Sequence, residues 1–497
     1  MIGLIGILLS LALLIVLAYR GLNVIVLAPI MASIAVIFAG APILATYTQV
    51  FMPAMGNFVV SFFPLFLLGA LFGKVMSDSG AALRIAEWVV RRVGGDKAIL
   101  AVVLACAILT YGGVSLFVVA FAMFPIAAAL FREARVPKRL IPGAIALGAF
   151  TFTMTALPGT PAIQNAIPNP YFGTDGFAAP GLGIIAGLIM FAGGVGWLTW
   201  RSRRAAAAGE GYDDGPLMTT GADSAALTID LGDDEGPGAA PRGEDGTGTQ
   251  PEAGGTLTAV RERDLPPLWV AFLPVFVVIG LNLLLLRVVF PMMDTSYLAE
   301  ERYGATELSM VQGNWGLIVA LATAVVLAFV LNWRRLANPK KSFNSGTTAS
   351  FLPIMNTASE VGYGAVIASL AGFVLVRDAI MGSSDNPVVS TAIAVSVLAG
   401  ITGSASGGMG IALEALGQDF QSMAASAGID MELMHRVTTL ASGGMDALPH
   451  NGAVITLLAI CGLTHKQSYK DVGMVAVVIP VVALAVVVAL GSAFGAF

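Results

Sequence analysis

The chain has 497 residues, 57% of them hydrophobic and only 11% charged, and several apolar runs exceed the roughly 18 residues needed to cross a bilayer. That composition describes a polytopic membrane protein and excludes a soluble globular domain. The net charge of −5 decides little, because charge in such a chain is read loop by loop.

Ile2–Tyr19 and Leu22–Ala39 read as a tight pair of spanning helices with Arg20 at the bend. The first lacks the basic region and small-residue cleavage site of a signal peptide, so it is kept as a span. Met52–Phe72 is a third span, followed by a polar stretch with Lys74, Arg84, Arg91, Arg92 and Lys97. Ile99–Phe131 is apolar but broken at Tyr111-Gly112-Gly113-Val114-Ser115, and Arg132, Arg135, Lys138 and Arg139 follow it. A single crossing would put these two basic stretches on opposite sides of the membrane. A re-entrant hairpin over residues 99–131 keeps both in the cytoplasm, as the positive-inside rule prefers. Leu140–Asn165 is a span interrupted at Pro158-Gly159-Thr160-Pro161, and Leu182–Trp200 returns to Arg201-Ser202-Arg203-Arg204. The cysteines, Cys106 and Cys461, lie in apolar runs and read as core residues, with no disulfide framework and no metal site suggested.

Residues 205–265 are rich in Gly, Ala, Asp and Glu with almost no aromatic residue, too little apolar surface to fold. They read as a disordered cytoplasmic linker between halves, passive or, alternatively, a regulatory or partner-binding tail. The second half runs through Leu268–Phe290, an acidic loop with Glu300, Glu301 and Glu307, and Trp315–Trp333. Arg334, Arg335, Lys340 and Lys341 precede Phe351–Val376, a span containing Glu360 near its start. A second broken segment covers residues 388–415, where Thr402, Ser404 and Ser406 sit among Gly400, Gly403, Gly407, Gly408 and Gly410. Backbone unwound at membrane depth exposes N–H and C=O groups that hydrocarbon cannot satisfy, so it survives only inside protein or beside a wet cavity. An acidic stretch to Glu432 follows, then Val437–Leu463, interrupted around Asp446–Asn451, and Val472–Phe497.

With both broken segments as hairpins, the chain makes ten full crossings, and all 26 Arg and Lys but Arg287, Arg302, Arg377 and Arg436 lie on the cytoplasmic side. Both termini then come out extracytoplasmic, and the two hairpins open from opposite faces, which is an inverted repeat. Residue matches point the same way. Phe51-Met52-Pro53-Ala54-Met55 corresponds to Phe351-Leu352-Pro353-Ile354-Met355, and Ala156-Leu157-Pro158 to Ala447-Leu448-Pro449, in nearly constant register. The fold expected is an all-α membrane protein of two inverted repeats, residues 1–204 and 266–497, each with five spans and one hairpin.

Four polar interruptions converge on the midplane in this topology. Gly112, Gly113, Ser115, Thr155, Gly159, Thr160, Gln164 and Asn165 come from the first repeat. Thr402, Ser404, Ser406, Gly407, Gly408, His450 and Asn451 come from the second. Half-helix N-termini expose free N–H groups and partial positive charge, which suits a carboxylate, and freed carbonyls can hold a cation. The competing reading is that Gly and Ser only let helices pack closely. No basic residue is placed at membrane depth, so the anion would be held by dipoles and hydroxyls. Glu360, Asp446 and His450 are the proton-coupling candidates, since an ionisable group in the apolar zone is expensive and His titrates near neutrality. Alternatively, Glu360 only caps or hydrogen-bonds a neighbouring helix near the interface. Asp378 beside Arg377 reads as an interfacial ion pair, and His435 and His465 as solvated at the membrane edges.

No P-loop, Gly-x-Ser-x-Gly, metal-spaced His/Cys cluster or nucleic-acid-binding patch occurs, so an ion gradient is the expected energy source and no cofactor is expected. Tyr111-Gly112-Gly113-Val114-Ser115-Leu116-Phe117, Thr155-Ala156-Leu157-Pro158-Gly159-Thr160-Pro161-Ala162-Ile163-Gln164-Asn165 and Gly462-Leu463-Thr464-His465-Lys466-Gln467-Ser468-Tyr469-Lys470-Asp471 resemble the gluconate permease (GntP) family of the ion transporter superfamily. The resemblance covers essentially the whole chain outside the linker, which departs from the compact family pattern. It implies a proton symporter of gluconate, a related sugar acid or a small hydroxy acid such as 3-hydroxybutyrate in a bacterial cytoplasmic membrane. It also implies a homodimer in which a hairpin-bearing transport domain moves against a scaffold as an elevator. Sodium coupling through Ser404, Ser406 and the hairpin carbonyls is the alternative within transport; a membrane-embedded enzyme or a channel is the alternative outside it.

Overall fold

The computed structural model describes residues 2–19, 22–94, 97–212, 265–382, 384–449 and 451–497. His450 and residues 213–264 of the expected linker lie outside the described residues. Within them the chain is helical, with no strand. The principal helices are α1 (Ile2–Tyr19), α2 (Val24–Ala39), α3 (Met52–Asp78), α4 (Ala81–Val93), α5 (Ala98–Tyr111), α6 (Leu116–Glu133), α7 (Ile141–Ala149) and α8 (Pro180–Ala207). After residue 264 come α9 (Leu268–Leu284), α10 (Leu308–Asn332), α11 (Pro339–Ser369), α12 (Phe373–Met381), α13 (Pro387–Thr402) and α14 (Ala405–Ala427). The chain ends with α15 (Met431–Ser442), α16 (Gly452–Ile460), α17 (His465–Gly473) and α18 (Ile479–Phe494).

Among the described residues, five helical runs are long and apolar enough to cross a membrane: Ile43–Asp78, Pro180–Ala207, Leu268–Met292, Leu308–Asn332 and His465–Phe494. The protein is therefore a multi-pass membrane protein. Three π turns, Tyr47–Phe51, Leu285–Val289 and Met474–Val478, each run into a proline, Pro53, Pro291 and Pro480. Proline has no N–H and its ring crowds the preceding turn, so a widened turn is where the helix absorbs it.

Other helices are shorter than a span. α5, with 14 residues, is about 21 Å long against a hydrocarbon core of about 30 Å. It reverses through Gly112–Ser115, where Gly113 has φ +93°, into α6. Similarly, α13 stops at Gly403, whose φ of +63° places it in the left-handed region, and Ser404 caps α14 by accepting the Gly407 N–H at 3.0 Å. Glycine reaches that conformation without the Cβ clash other residues meet.

The helices differ from the sequence reading in four places. The stretch after α3 is not a loop: Ala81, Ala82, Ile85, Ala86 and Val89 are buried at helical spacing, so α4 is amphipathic and its charges face outward. α11 begins at Pro339, capped by Asn338, because Ser and Thr in its early turns are compatible with a helix that packs. Glu360 accordingly lies deep in α11 and not at its start. α12 then turns 98° away from α11. α14 continues to Ala427, past the expected end of the second hairpin.

α3 and α11 lie along each other, flanked by α2, α10 and α14, and most of the buried apolar side chains form one continuous core. The first linker residues belong to this fold. Glu210 forms a two-point bond to Arg139, at 2.6 and 2.9 Å. Asp471 takes the third side of Arg139 at 3.2 Å and also binds Arg201 at 2.7 Å. The Arg139 hydrogen bonds hold the Glu210 carboxyl below its ordinary range. A depressed carboxylate stabilises the fold above its unfolded pKa and loses that effect as pH falls through the folded value. Glu210→Gln is expected to cost at most about 1 kcal/mol at neutral pH and nothing in acid. Melting of the detergent-solubilised chain across pH reads this, and an equal loss at both ends of the range would remove the pair from the account.

Candidate functional site

The second hairpin carries the densest group of functional side chains. Gly407 lies in the first turn of α14, and a Cβ there would collide with the Glu360 carboxylate oxygen Oε2, with Glu360 Cδ at 2.5 Å and Ser404 Oγ at 2.9 Å. The carboxyl therefore occupies the notch left by the missing side chain. Glu360 is only 5% exposed, and its Oε2 has no hydrogen-bond partner. One turn back along α11, Thr357 Oγ1 meets Ser406 Oγ at 3.3 Å. Gly408 is needed for a different reason: a Cβ there would run into the backbone of Leu398 and Ala399 on α13, so the two hairpin helices touch at this point.

The second interruption packs on that tip. Asn451 caps α16 by accepting the Val454 N–H at 2.8 Å, and its amide donates to Gly403 O at 2.8 Å. A Cβ on Gly400 would touch Met445 at 3.2 Å. Asp446 accepts the Gly444 N–H at 2.9 Å and is half-buried. Tyr469 donates to Ala447 O at 3.1 Å, and a ring nitrogen of His465 lies 2.8 Å from Pro449 O. His465, partly exposed, is tied to the interruption by this contact.

The first interruption is organised by a residue that sequence reasoning placed elsewhere. Arg436 is fully buried, 0% exposed. Its Nε donates to Ala178 O at 3.0 Å, and its Nη1 to Ala156 O and Asn165 Oδ1, both at 3.2 Å. Its Nη2 donates to Gly176 O at 3.3 Å and Ala178 O at 2.7 Å. All five guanidinium N–H groups are used, four of the five bonds to backbone carbonyls freed around the break. Asp175 and Glu432 balance its charge from beyond bonding distance. Arg436, placed by the sequence near the outer face, is enclosed by protein at the first interruption. The solvated position expected for His435 is corrected: it is buried, with Nδ1 2.7 Å from Thr174 Oγ1. Arg377 pairs with Asp419 at 2.6 Å, so the expected partnership with Asp378 gives way to one across helices.

Around Arg436 the predicted residues of the first repeat fall into place as frame. Asn165 Nδ2 donates to Thr160 O at 3.2 Å and Gly176 O at 2.8 Å, and Thr160 Oγ1 to Thr153 O at 2.7 Å. Gly159 has φ +76° and faces the Phe177 ring, which a Cβ would meet. Gln164 is buried in the turn Ile163–Asn165, which packs on α14 and α15.

The four interruptions touch in sequence. Tyr111 donates to Pro158 O at 2.7 Å, and a Cβ on Gly113 would lie 3.3 Å from Pro161. Thr155 faces Gly443, where a Cβ would come 2.8 Å from its methyl group. Gly112 lies against Val275, and Ser115 beside Gly73 of α3. A cavity of about 130 Å³, lined by Asn57, Ser61, Tyr171 and Glu414 among others, lies further along α14, and no predicted site residue borders it. At the hairpin tip itself the space is filled by Glu360.

Residues 2–196 match the GntP family permease. The chain is 43% identical over 477 residues, 94% of each protein, to a Bacillus subtilis (strain 168) protein named as the uncharacterized transporter YxjC.

Proposed function

Because the chain belongs to the GntP permease family, we propose that it is a secondary active transporter that carries a small organic anion with protons across the cytoplasmic membrane. Gluconate, a related sugar acid or a hydroxy acid such as 3-hydroxybutyrate is the substrate class. The observation that carries this reading is the pairing of a buried, unpartnered Glu360 oxygen with the first turn of α14. Free N–H groups at a helix start favour an anion, and a carboxyl without a counter-cation in an apolar site favours taking up a proton. The anion site comprises the hairpin tips at Gly112, Gly113 and Ser115 and at Thr402, Ser404, Ser406, Gly407 and Gly408. Thr155–Asn165 and Asn451 complete it, with Glu360 and Asp446 as the proton-carrying groups.

Alternating access is proposed to follow from two inverted repeats moving as scaffold and transport units in a homodimer, with both termini outside the cell. Two contacts support the repeat. The matched segments around Pro53 and Pro353 lie on α3 and α11, which pack together, and the two Ala-Leu-Pro segments adjoin the contact of Thr155 with Gly443.

Uptake of labelled gluconate and 3-hydroxybutyrate into proteoliposomes with an imposed inward proton gradient tests the reading. Accumulation without sodium is expected. Uptake that requires sodium and ignores the proton gradient would transfer the coupling role to the hairpin carbonyls. Asp446→Asn keeps an acceptor for the Gly444 N–H, so folding and melting should be unchanged while proton-driven uptake is lost. A variant with unaltered pH dependence removes Asp446 from the coupling role.

A further inference from the structure

We propose, building on that reading, that Glu360 is an internal competitor of the transported anion: its carboxylate holds the place at the start of α14 that the substrate carboxylate takes. The first N–H groups of a helix have no acceptors within it. Here the Gly407 N–H is taken by Ser404 Oγ and the Gly408 N–H by Ser404 O. Glu360 lies against this turn, its carboxyl resting on Gly407 beside Ser404 with Oε2 accepting no hydrogen bond. A carboxylate from α11 thus stands where an incoming carboxylate has to bind, and the two negative charges exclude each other. Protonation removes the competitor's charge. It releases Glu360 from the helix start, the anion enters, and proton and anion are then bound together or not at all. On the other side, loss of the proton returns Glu360 to the notch and expels the anion. Symport follows from one shared position, with no relay between distant sites.

The neighbourhood leaves Glu360 alone in this role. α11 packs against α2, the π turn Tyr47–Phe51, which has no charged residue, α3, α12 and α14. α2 has no charged residue. Lys74 and Asp78 of α3 bind each other at 3.0 Å. On α14, Glu414 takes the Tyr171 hydroxyl at 3.3 Å and Asp419 binds Arg377 of α12 at 2.6 Å; Asp378 is the other charge on α12. None of these is bonded to Glu360, whose carboxyl rests beside Ser404.

A reporter thiol tests the proposal without knowledge of the substrate. Ser406 is half-buried one residue before Gly407, and the native thiols, Cys106 and Cys461, are both buried. In the reconstituted full chain carrying Ser406→Cys, modification by a negatively charged methanethiosulfonate is divided by that from a neutral one, which cancels the thiol's own titration. As pH rises, the ratio should hold at its acid-side level and then fall, by up to about tenfold per pH unit, as Glu360 ionises. With Glu360→Gln added it should stay flat at its acid-side level. A ratio that is flat with Glu360 present, or that falls equally in the Gln variant, overturns the competition. Thr402→Cys, at the same tip, supplies the measurement if Ser406→Cys does not fold. Failure of labelled gluconate and 3-hydroxybutyrate to accumulate in wild-type vesicles would reject the substrate reading above and leave the thiol result standing.

Discussion

Gly407→Leu is expected to abolish transport, a loss of at least about a hundredfold, in a chain that still inserts and melts cooperatively. The reason is local. At position 407 even a Cβ collides with the Glu360 carboxylate and approaches Ser404 Oγ to 2.9 Å, so a leucine displaces the carboxyl and fills the anion position. Overpacking of this kind costs about 1–3 kcal/mol, which a core of this size tolerates. Gly407→Ala should show a milder form of the same defect. Combining Gly407→Ala with Glu360→Ala should recover stability, since the second change removes the atoms the first one strikes. Such non-additivity is the signature of contact. It should not recover concentrative uptake, because the proton-carrying group is gone. Uptake at the wild-type rate by Gly407→Leu, measured with whichever acid the wild type accumulates, would displace the site from the hairpin tip.

Much of this arrangement could be read from residue types. Gly112-Gly113 and Gly403-Ser404 announce breaks because glycine in an apolar run gives up helix stability and serine offers a cap, and the positive φ values at Gly113 and Gly403 are what such residues permit. Asn451 could be anticipated as polar at depth; that it caps α16 while bridging to Gly403 could not. The depth of Glu360 was hidden because Ser342, Thr347, Thr348 and Ser350 made the early turns of α11 look like a loop. Their hydroxyls are met inside the helix or by a neighbour: Thr347, Thr348 and Ser350 donate to carbonyls three or four residues back, and Ser342 to Asp78. Arg436 was hidden for a deeper reason. Its acceptors, at Ala156, Asn165, Gly176 and Ala178, lie in the other half of the chain, and no local pattern reports carbonyls left free there. The signal available was indirect: a break in one repeat creates unpaired carbonyls, and a lone arginine in the other is a means of satisfying them.

Arg436 therefore yields the second large effect. Arg436→Met removes five hydrogen bonds and leaves Ala156 O, Ala178 O and Asn165 Oδ1 to find other donors in a buried site, while Gly176 O keeps the Asn165 amide and the Gly159 N–H. The expected destabilisation is about 3–5 kcal/mol, seen as a large drop in melting temperature of the purified protein. Arg436→Lys keeps the charge, but three donors on one nitrogen cannot span acceptors that the planar fork reaches on three sides. If the guanidinium serves mainly to hold the Pro158–Asn165 interruption in shape, lysine should lose nearly as much stability as methionine. If its charge also attracts the anion, lysine should retain a lower KM than methionine at comparable maximal rate. The two variants thus separate bracing from attraction in one comparison of melting and uptake. Melting of Arg436→Met at the wild-type temperature would mean that other groups or water satisfy these carbonyls, and the brace would have to be sought elsewhere.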